Sequence, residues 1–193
     1  MAILYSNADV NKPSEVVIST ETLGAPGTFA LVTLPQTYRE VVLRVTGQTL
    51  AVGEWDYVSY ELNGDSSSVY QKLGVAVNKA TVAGGTASVA GESRYNFAYV
   101  LVGYLPAAGG TGTVYTGQNE TTLFDYTTSK TTHILWSKGG RRETSGSIQL
   151  MTQGVQQHWY YPASSSAITS VEIVTAANFD TGSTFTVLGR GPL

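Results

Sequence analysis

The chain has 193 residues, no cysteine, only 13% charged residues and a formal net charge of −3. The missing thiols exclude disulfide staples and thiolate zinc sites, and the acidic balance excludes generic nucleic-acid binding, which needs a basic face against phosphates. The length suits one domain with a core of its own, and no apolar run approaches the roughly 20 residues that a membrane-spanning helix needs.

The palette is that of a β protein. Twelve Tyr and 21 Gly, with Thr and Ser at most polar positions, supply side chains for pleated surfaces and residues for turns. The charged share is about half of the ~25% usual in soluble domains. Two readings of that low charge stay open: a chain packed against copies of itself or a larger shell, or simply a Thr-rich β protein. The opening MAILYSNADV has neither a basic n-region nor the apolar length of a secretory signal, so synthesis and assembly in a cytoplasm are expected. Residues 1–14 read as an N-terminal arm, and 15–193 as a single domain.

Val16-Val17-Ile18 and Phe29–Leu34 read as short strands, followed by a turn at Pro35-Gln36. In Tyr38–Gly47 the apolar Val41, Leu43 and Val45 alternate with Arg44 and Thr46, the period-2 pattern of a half-buried strand. Trp55–Leu62 is the next strand. Asn63-Gly64-Asp65 ends it in a tight turn, because Asn and Gly both accept positive φ. Ser68–Leu73 then resumes the pairing, so the turn is expected to set a hairpin register. Thr81–Gly91 reads as a flexible loop of small residues. Phe97–Leu105 is apolar on both parities, with Phe97, Tyr99 and Leu101 on one and Val100, Val102 and Tyr104 on the other. Such a strand is covered on both faces; the second cover is a loop of the same chain or a neighbouring subunit. These six residues form the candidate subunit interface.

Pro106–Gly112 is a second Gly-rich loop. Leu123–Tyr126, Thr132–Ser137, Ser147–Thr152 and Val155–Tyr160 are further strands, with Gly139-Gly140-Arg141-Arg142 at a hairpin tip. Ile168–Val174 and Ser183–Gly189 flank the loop Ala176–Gly182 and read as a closing two-stranded unit, with Gly182 turning the chain into the last strand. About ten short strands with regular turns predict an all-β, antiparallel β-sandwich of jelly-roll type; an up-and-down barrel is the alternative.

Four segments, in order, resemble one family. They are Tyr38–Thr46; Glu61–Tyr70, ELNGDSSSVY; Leu123–Lys130, LFDYTTSK; and Gly154–Gly189, where a G-x-x-x-x-W-Y stretch leads into AITSVEIV and NFDTGSTFTVLG. The pattern is similar to that of bacteriophage virion structural proteins: minor tail proteins, tail or head fibres, and capsid decorations. The resemblance implies a β-sandwich, often trimeric, located in the virion. Its partners would be copies of itself and other virion proteins such as capsid or tail subunits. The family commonly ends in L-Y-G-I, whereas this chain has Val187-Leu188-Gly189-Arg190 and a short tail to Leu193, which puts the family's last contact in question.

The residues also carry candidates for chemistry. A glycosidase needs two carboxylates flanking a sugar cleft; Glu54, Asp56 and Glu61 are the candidate acids, with Asp56 facing away from Glu61 along one strand. His133 and His158 are the only histidines, both on predicted strands, where they can meet across a sheet with Asp125 nearby. Asn63, Asp65 and Ser66 carry oxygen ligands but lack the spacing of a calcium loop. Trp159, Tyr160 and Tyr161 gather aromatic rings beside hydroxyls, which suits stacking on a host-surface glycan; the plainer reading makes Trp159 core or interface. Trp55 and Trp136 sit in alternating context and read as core. Lys138, Arg141 and Arg142 form a basic knot, read as solvated. No cofactor is expected, nor any nucleic-acid or membrane partner. The function expected is a non-enzymatic virion component working by protein–protein contact, with a glycan-adhesive module as the alternative.

Overall fold

The computed structural model describes residues 15–52, 55–67, 69–79, 87–97, 99–107, 117–145 and 147–192. For Trp55, 72–79, 87–97, Leu101, 139–145, 147–156 and Pro192 the backbone alone is described. The arm expected at 1–14 lies outside these residues, as do 81–86 and 108–112 of the two expected loops.

Every regular element among the described residues is a strand. In chain order they are β1 (Glu15–Thr22), β2 (Val32–Thr33), β3 (Tyr38–Gly47), β4 (Trp55–Leu62), β5 (Tyr70–Lys79), β6 (Ala87–Phe97), β7 (Val100–Pro106), β8 (Gly117–Phe124), β9 (His133–Ser145), β10 (Ser147–Tyr160), β11 (Ser170–Val174) and β12 (Thr184–Pro192). They form two antiparallel sheets: an eight-stranded one in the order β1-β12-β3-β8-β9-β10-β5-β6, and a four-stranded one in the order β2-β11-β4-β7. The chain is an antiparallel β-sandwich.

The core lies between the sheets. The large sheet contributes Val41, Leu43 and Val45 of β3, Leu123 of β8, Leu135 of β9, Tyr160 of β10, and Phe185 and Val187 of β12. The small sheet answers with Val58, Tyr60 and Leu62 of β4, Val100, Val102 and Leu105 of β7, and Val171 and Ile173 of β11. In β3 the period-2 pattern does what it predicts, since Val41, Leu43 and Val45 all face inward.

The connections differ from the sequence reading. Setting aside the pair β5–β6 and the run β8–β9–β10, consecutive strands alternate between the two sheets. Asn63 and Gly64 do adopt the left-handed conformation, at φ 56° and 67°, and Asp65 N donates to Leu62 O across the turn. Yet β4 and β5, which flank this turn, belong to different sheets, so it is a corner rather than a hairpin. The corner is held by side chains. The Tyr70 hydroxyl accepts from Leu62 N (3.0 Å) and donates to Asp65 O (2.9 Å). Asn63 Nδ2 donates to Ala167 O (2.8 Å), while its Oδ1 accepts from Thr169 N (2.7 Å).

The closing unit is likewise no hairpin. β11 lies in the small sheet and β12 in the large one, and the segment between them bridges the sandwich. Phe179, midway along, is fully buried, 4.7 Å from the Phe29 ring, and exchanges both backbone hydrogen bonds with Gly27. Gly182 has φ 82° as the chain turns into β12, as the sequence reading required.

Three further differences concern strand limits. Ala87–Gly91, read as loop, begins β6. Gly139–Arg142, read as a hairpin tip, lies within β9, whose pairing with β10 runs on to Ser145 opposite Ser147, and the register shift between Gln153 and Gln156 interrupts a single strand β10. Phe97–Leu105 is not one strand: Phe97 ends β6 in the large sheet, and β7 begins in the small sheet at Val100.

Candidate binding face

The outer face of the large sheet carries the most unusual side chains. Along β9, residues alternate strictly: His133, Leu135 and Ser137 are buried, whereas Ile134, Trp136 and Lys138 are exposed. This reverses the simple expectation for Trp136, which is 45% exposed rather than core. Cross-strand register is the cause. Leu123 of β8 pairs with Leu135 and Thr121 pairs with Ser137, which fixes the Leu135 parity inward. The polar residues carried in with it find partners: His133 Nε2 donates to Ser166 O (2.7 Å), and Ser137 Oγ bonds His158 Nε2 (2.7 Å).

Trp136 borders a shallow depression of about 240 Å³, lined also by Glu120, Thr122, Phe124, Lys138 and Arg190. Glu120 of β8 is central to its polar end. Its Oε2 accepts from Arg44 Nη2 (2.7 Å) and Nε (3.1 Å), and its Oε1 takes Lys138 Nζ at 2.8 Å. Burial works to raise the Glu120 carboxyl, but Lys138 and then Arg44, by hydrogen bond and charge, outweigh it and hold the group below the ordinary carboxylate value. Across the sheet, Arg190 of β12 is paired with Glu15 of β1. Pairing places Arg44, Glu120 and Lys138 in adjacent registers on three neighbouring strands. The chain order alone does not reveal this, because residues 44, 120 and 138 meet only once β3, β8 and β9 are side by side.

The aromatic group at 159–161 is divided by the same alternation. Tyr160 is in the core, stacked on Tyr70 at 5.0 Å, and is no glycan contact. Trp159, of opposite parity, is half-buried on the outer face, one strand from Trp136, and pairs with Ile134. Tyr161 is half-buried, its hydroxyl 3.4 Å from Gln71 Oε1.

The candidate interface strand is divided too. Val100 and Val102 are buried in the chain's own core and so present no face to a neighbour. Tyr104 is half-buried against Tyr57, ring centres 5.1 Å apart, and Tyr99 is exposed. The side chains of Phe97 and Leu101 lie outside the described residues, as do those of Trp55, Arg141 and Arg142.

The remaining candidates are occupied structurally. His133 and His158 lie on adjacent strands and share the inward face, but each is hydrogen-bonded to its own partner, Ser166 and Ser137. Burial lowers the His133 pKa against a raising bond to Ser166, with Lys130 lowering it further. Asp125 instead pairs with Lys130 at 3.3 Å. No group of three or more His, Asp or Glu that could hold a metal occurs among the described residues. Asp56 is buried and accepts from Tyr57 N (2.7 Å) and Ala177 N (3.1 Å). Glu61 lies beside Glu172 on the paired strand, and its pKa is raised by partial burial, then by Glu172 and Asp65. Glu54 is outside the described residues. Asn63, with its amide spent on the 167–170 backbone, is not available as a cation ligand.

Compared with models of known protein families and with curated proteins, the chain matches none.

Proposed function

We propose that the chain is a non-enzymatic bacteriophage virion structural protein, assembled on the particle as a homotrimer through contacts with capsid or tail subunits. One observation carries this reading. The most specific resembling segment, Ala167–Gly189, is spent on architecture: it supplies one strand to each sheet and seats Phe179 between them. A second resembling segment, ELNGDSSSVY, forms the Tyr70-pinned corner. These are the jobs of a scaffold that presents surfaces, not of a reaction pocket. The strand alternation between sheets also supports the finer jelly-roll reading, with the hairpin β5–β6 and the meander β8–β9–β10 as the departures that widen one sheet. Exposed Val16 and Val17 on the edge strand β1 offer apolar contact to a neighbouring subunit.

Mass spectrometry of purified particles tests the assignment, with sedimentation of the isolated protein beside it. A stoichiometric virion component that self-associates at micromolar concentration is expected. Absence from particles, or a persistent monomer with no affinity for capsid or tail subunits, overturns it.

A further inference from the structure

We propose that the depression beside Trp136 is a binding site for a neutral saccharide, with the Trp136 ring as its stacking platform. The inference is carried by three features of the outer sheet face.

First, the ring is exposed on the side of a sheet rather than at a loop tip. Trp136 is anchored in β9 between Thr122 of β8 and Gln157 of β10, so its backbone is fixed by two ladders. A half-exposed indole on a fixed backbone offers a flat apolar surface for stacking. The C–H faces of a pyranose ring are the matching surface.

Second, the polar groups at the rim are already held in place. Glu120 is fixed by Arg44 and Lys138, and Arg190 by Glu15. Preformed apolar sites with a few fixed polar groups are the usual form of small-molecule sites. Lys138 and Arg190, which carry several N–H donors each, line the depression, and Thr122 adds a hydroxyl. A sugar presents hydroxyls that both donate and accept, and this mixed rim suits them.

Third, the charges balance. At the described outer-face positions of β1, β12, β3, β8 and β9 around the depression, Glu15, Glu40 and Glu120 stand against Arg190, Arg44 and Lys138, three against three. There is no surplus field to select an ionic ligand. That favours a neutral hexose over an acidic sugar or a phosphate. Trp159, diagonal to Trp136 across the β9–β10 pair and on the same face, is placed to extend the platform to a second sugar unit.

The site is tested on the isolated full chain, so its failure leaves the virion assignment intact, and the reverse holds as well. The probes are methyl glycosides of glucose, galactose and mannose, the disaccharides maltose, cellobiose and lactose, and a printed array of neutral and acidic oligosaccharides. Tryptophan fluorescence and saturation-transfer NMR follow binding to the unaltered protein. At least one neutral saccharide is expected to saturate with a Kd of about 1 mM. Trp136→Ala is expected to weaken it at least about tenfold, Trp136→Phe less, and Trp159→Ala to weaken a disaccharide more than a monosaccharide. Because Trp136 is half-exposed, its variants keep the fold, which the melting temperature checks. If Trp136→Ala nevertheless unfolds, the indole N–H shift of Trp136 in the unaltered protein decides: a saturable shift supports the site, and no shift overturns it. The proposal is also overturned if no neutral saccharide binds, if binding survives Trp136→Ala, or if acidic glycans alone bind and salt abolishes it. Loss of self-association rather than of sugar binding in Trp136→Ala assigns the face to a second copy of the chain, and overturns it too.

Discussion

Replacing Tyr70 with Phe removes one oxygen and tests whether the β4–β5 corner is pinned as the structure shows. The ring stays in place, stacked on Tyr160 at 5.0 Å, so packing is preserved. Two hydrogen bonds are lost: one accepted from Leu62 N at 3.0 Å and one donated to Asp65 O at 2.9 Å. Burial is the first reason that the phenol stays protonated across the ordinary pH range, which keeps its proton available for Asp65. The two losses are unequal. Asp65 O lies in a half-exposed turn, so water can replace the hydroxyl there at a cost of about 0.5–1 kcal/mol. The Leu62 N–H is buried and would be left unsatisfied, at about 1–2 kcal/mol. Together these give a loss of roughly 1.5–3 kcal/mol, or a fall in melting temperature of about 3–12 °C for a domain of this size. Urea unfolding should show a lower midpoint with an unchanged slope. Tyr161→Phe is the control, because its hydroxyl reaches Gln71 only at 3.4 Å in a half-exposed setting; it should cost under about 0.5 kcal/mol. A Tyr70→Phe protein that melts within about 1 °C of the unaltered chain, or no lower than Tyr161→Phe, refutes the reasoning.

Phe179→Ala opens a cavity where the β11–β12 connection enters the core, and should cost about 3–5 kcal/mol by chemical denaturation. Gly189→Ala places a Cβ about 2.6 Å from the Tyr38 ring atoms, and the overpacking should cost about 1–3 kcal/mol; pairing it with Tyr38→Ala should recover part of that loss. His133 has a folded-state pKa lowered by burial, so its contribution is complete above the unfolded value of about 6.5 and is lost as pH falls from there toward the lowered folded value. Melting temperatures measured from pH 8 to pH 5 should therefore decline more steeply for the unaltered chain than for His133→Gln, and parallel profiles would count against the assignment. Glu120 is a second probe of the same sign, on the outer face and at lower pH: its lowered pKa supplies stability above the unfolded carboxylate value that fades as pH drops through the lowered folded one, and Glu120→Gln should flatten the acid limb of the profile below about pH 4.5.

Local chemistry accounts for what was legible in the chain. Tyr38–Gly47 and Trp55–Leu62 coincide with β3 and β4 because each alternation has its own apolar face, whatever it pairs with. The positive φ of Asn63, Gly64 and Gly182 was legible for the same reason, since backbone sterics act within a residue. The identity of the partner strand was not. Asn63-Gly64 looks the same whether the next strand returns beside the last or crosses to the other sheet, and the choice rests on Tyr70 and on Asn63's bonds to 167–170, all distant in sequence. The same limit hid the candidate site. Ile134 and Trp136 are the more apolar parity of β9, yet Leu135 opposite Leu123, together with partners for His133 and Ser137, turns them outward.

The order of residues thus determined by itself that this chain forms short β-strands with defined turns around an apolar core, because alternation and φ preferences are properties of a few adjacent residues. Only the tertiary structure decided which strands share a sheet, which face of β9 meets water, and that Arg44, Glu120 and Lys138 stand together beside an exposed tryptophan. Those outcomes depend on cross-strand register, where a shift of a single residue exchanges every buried side chain for its exposed neighbour.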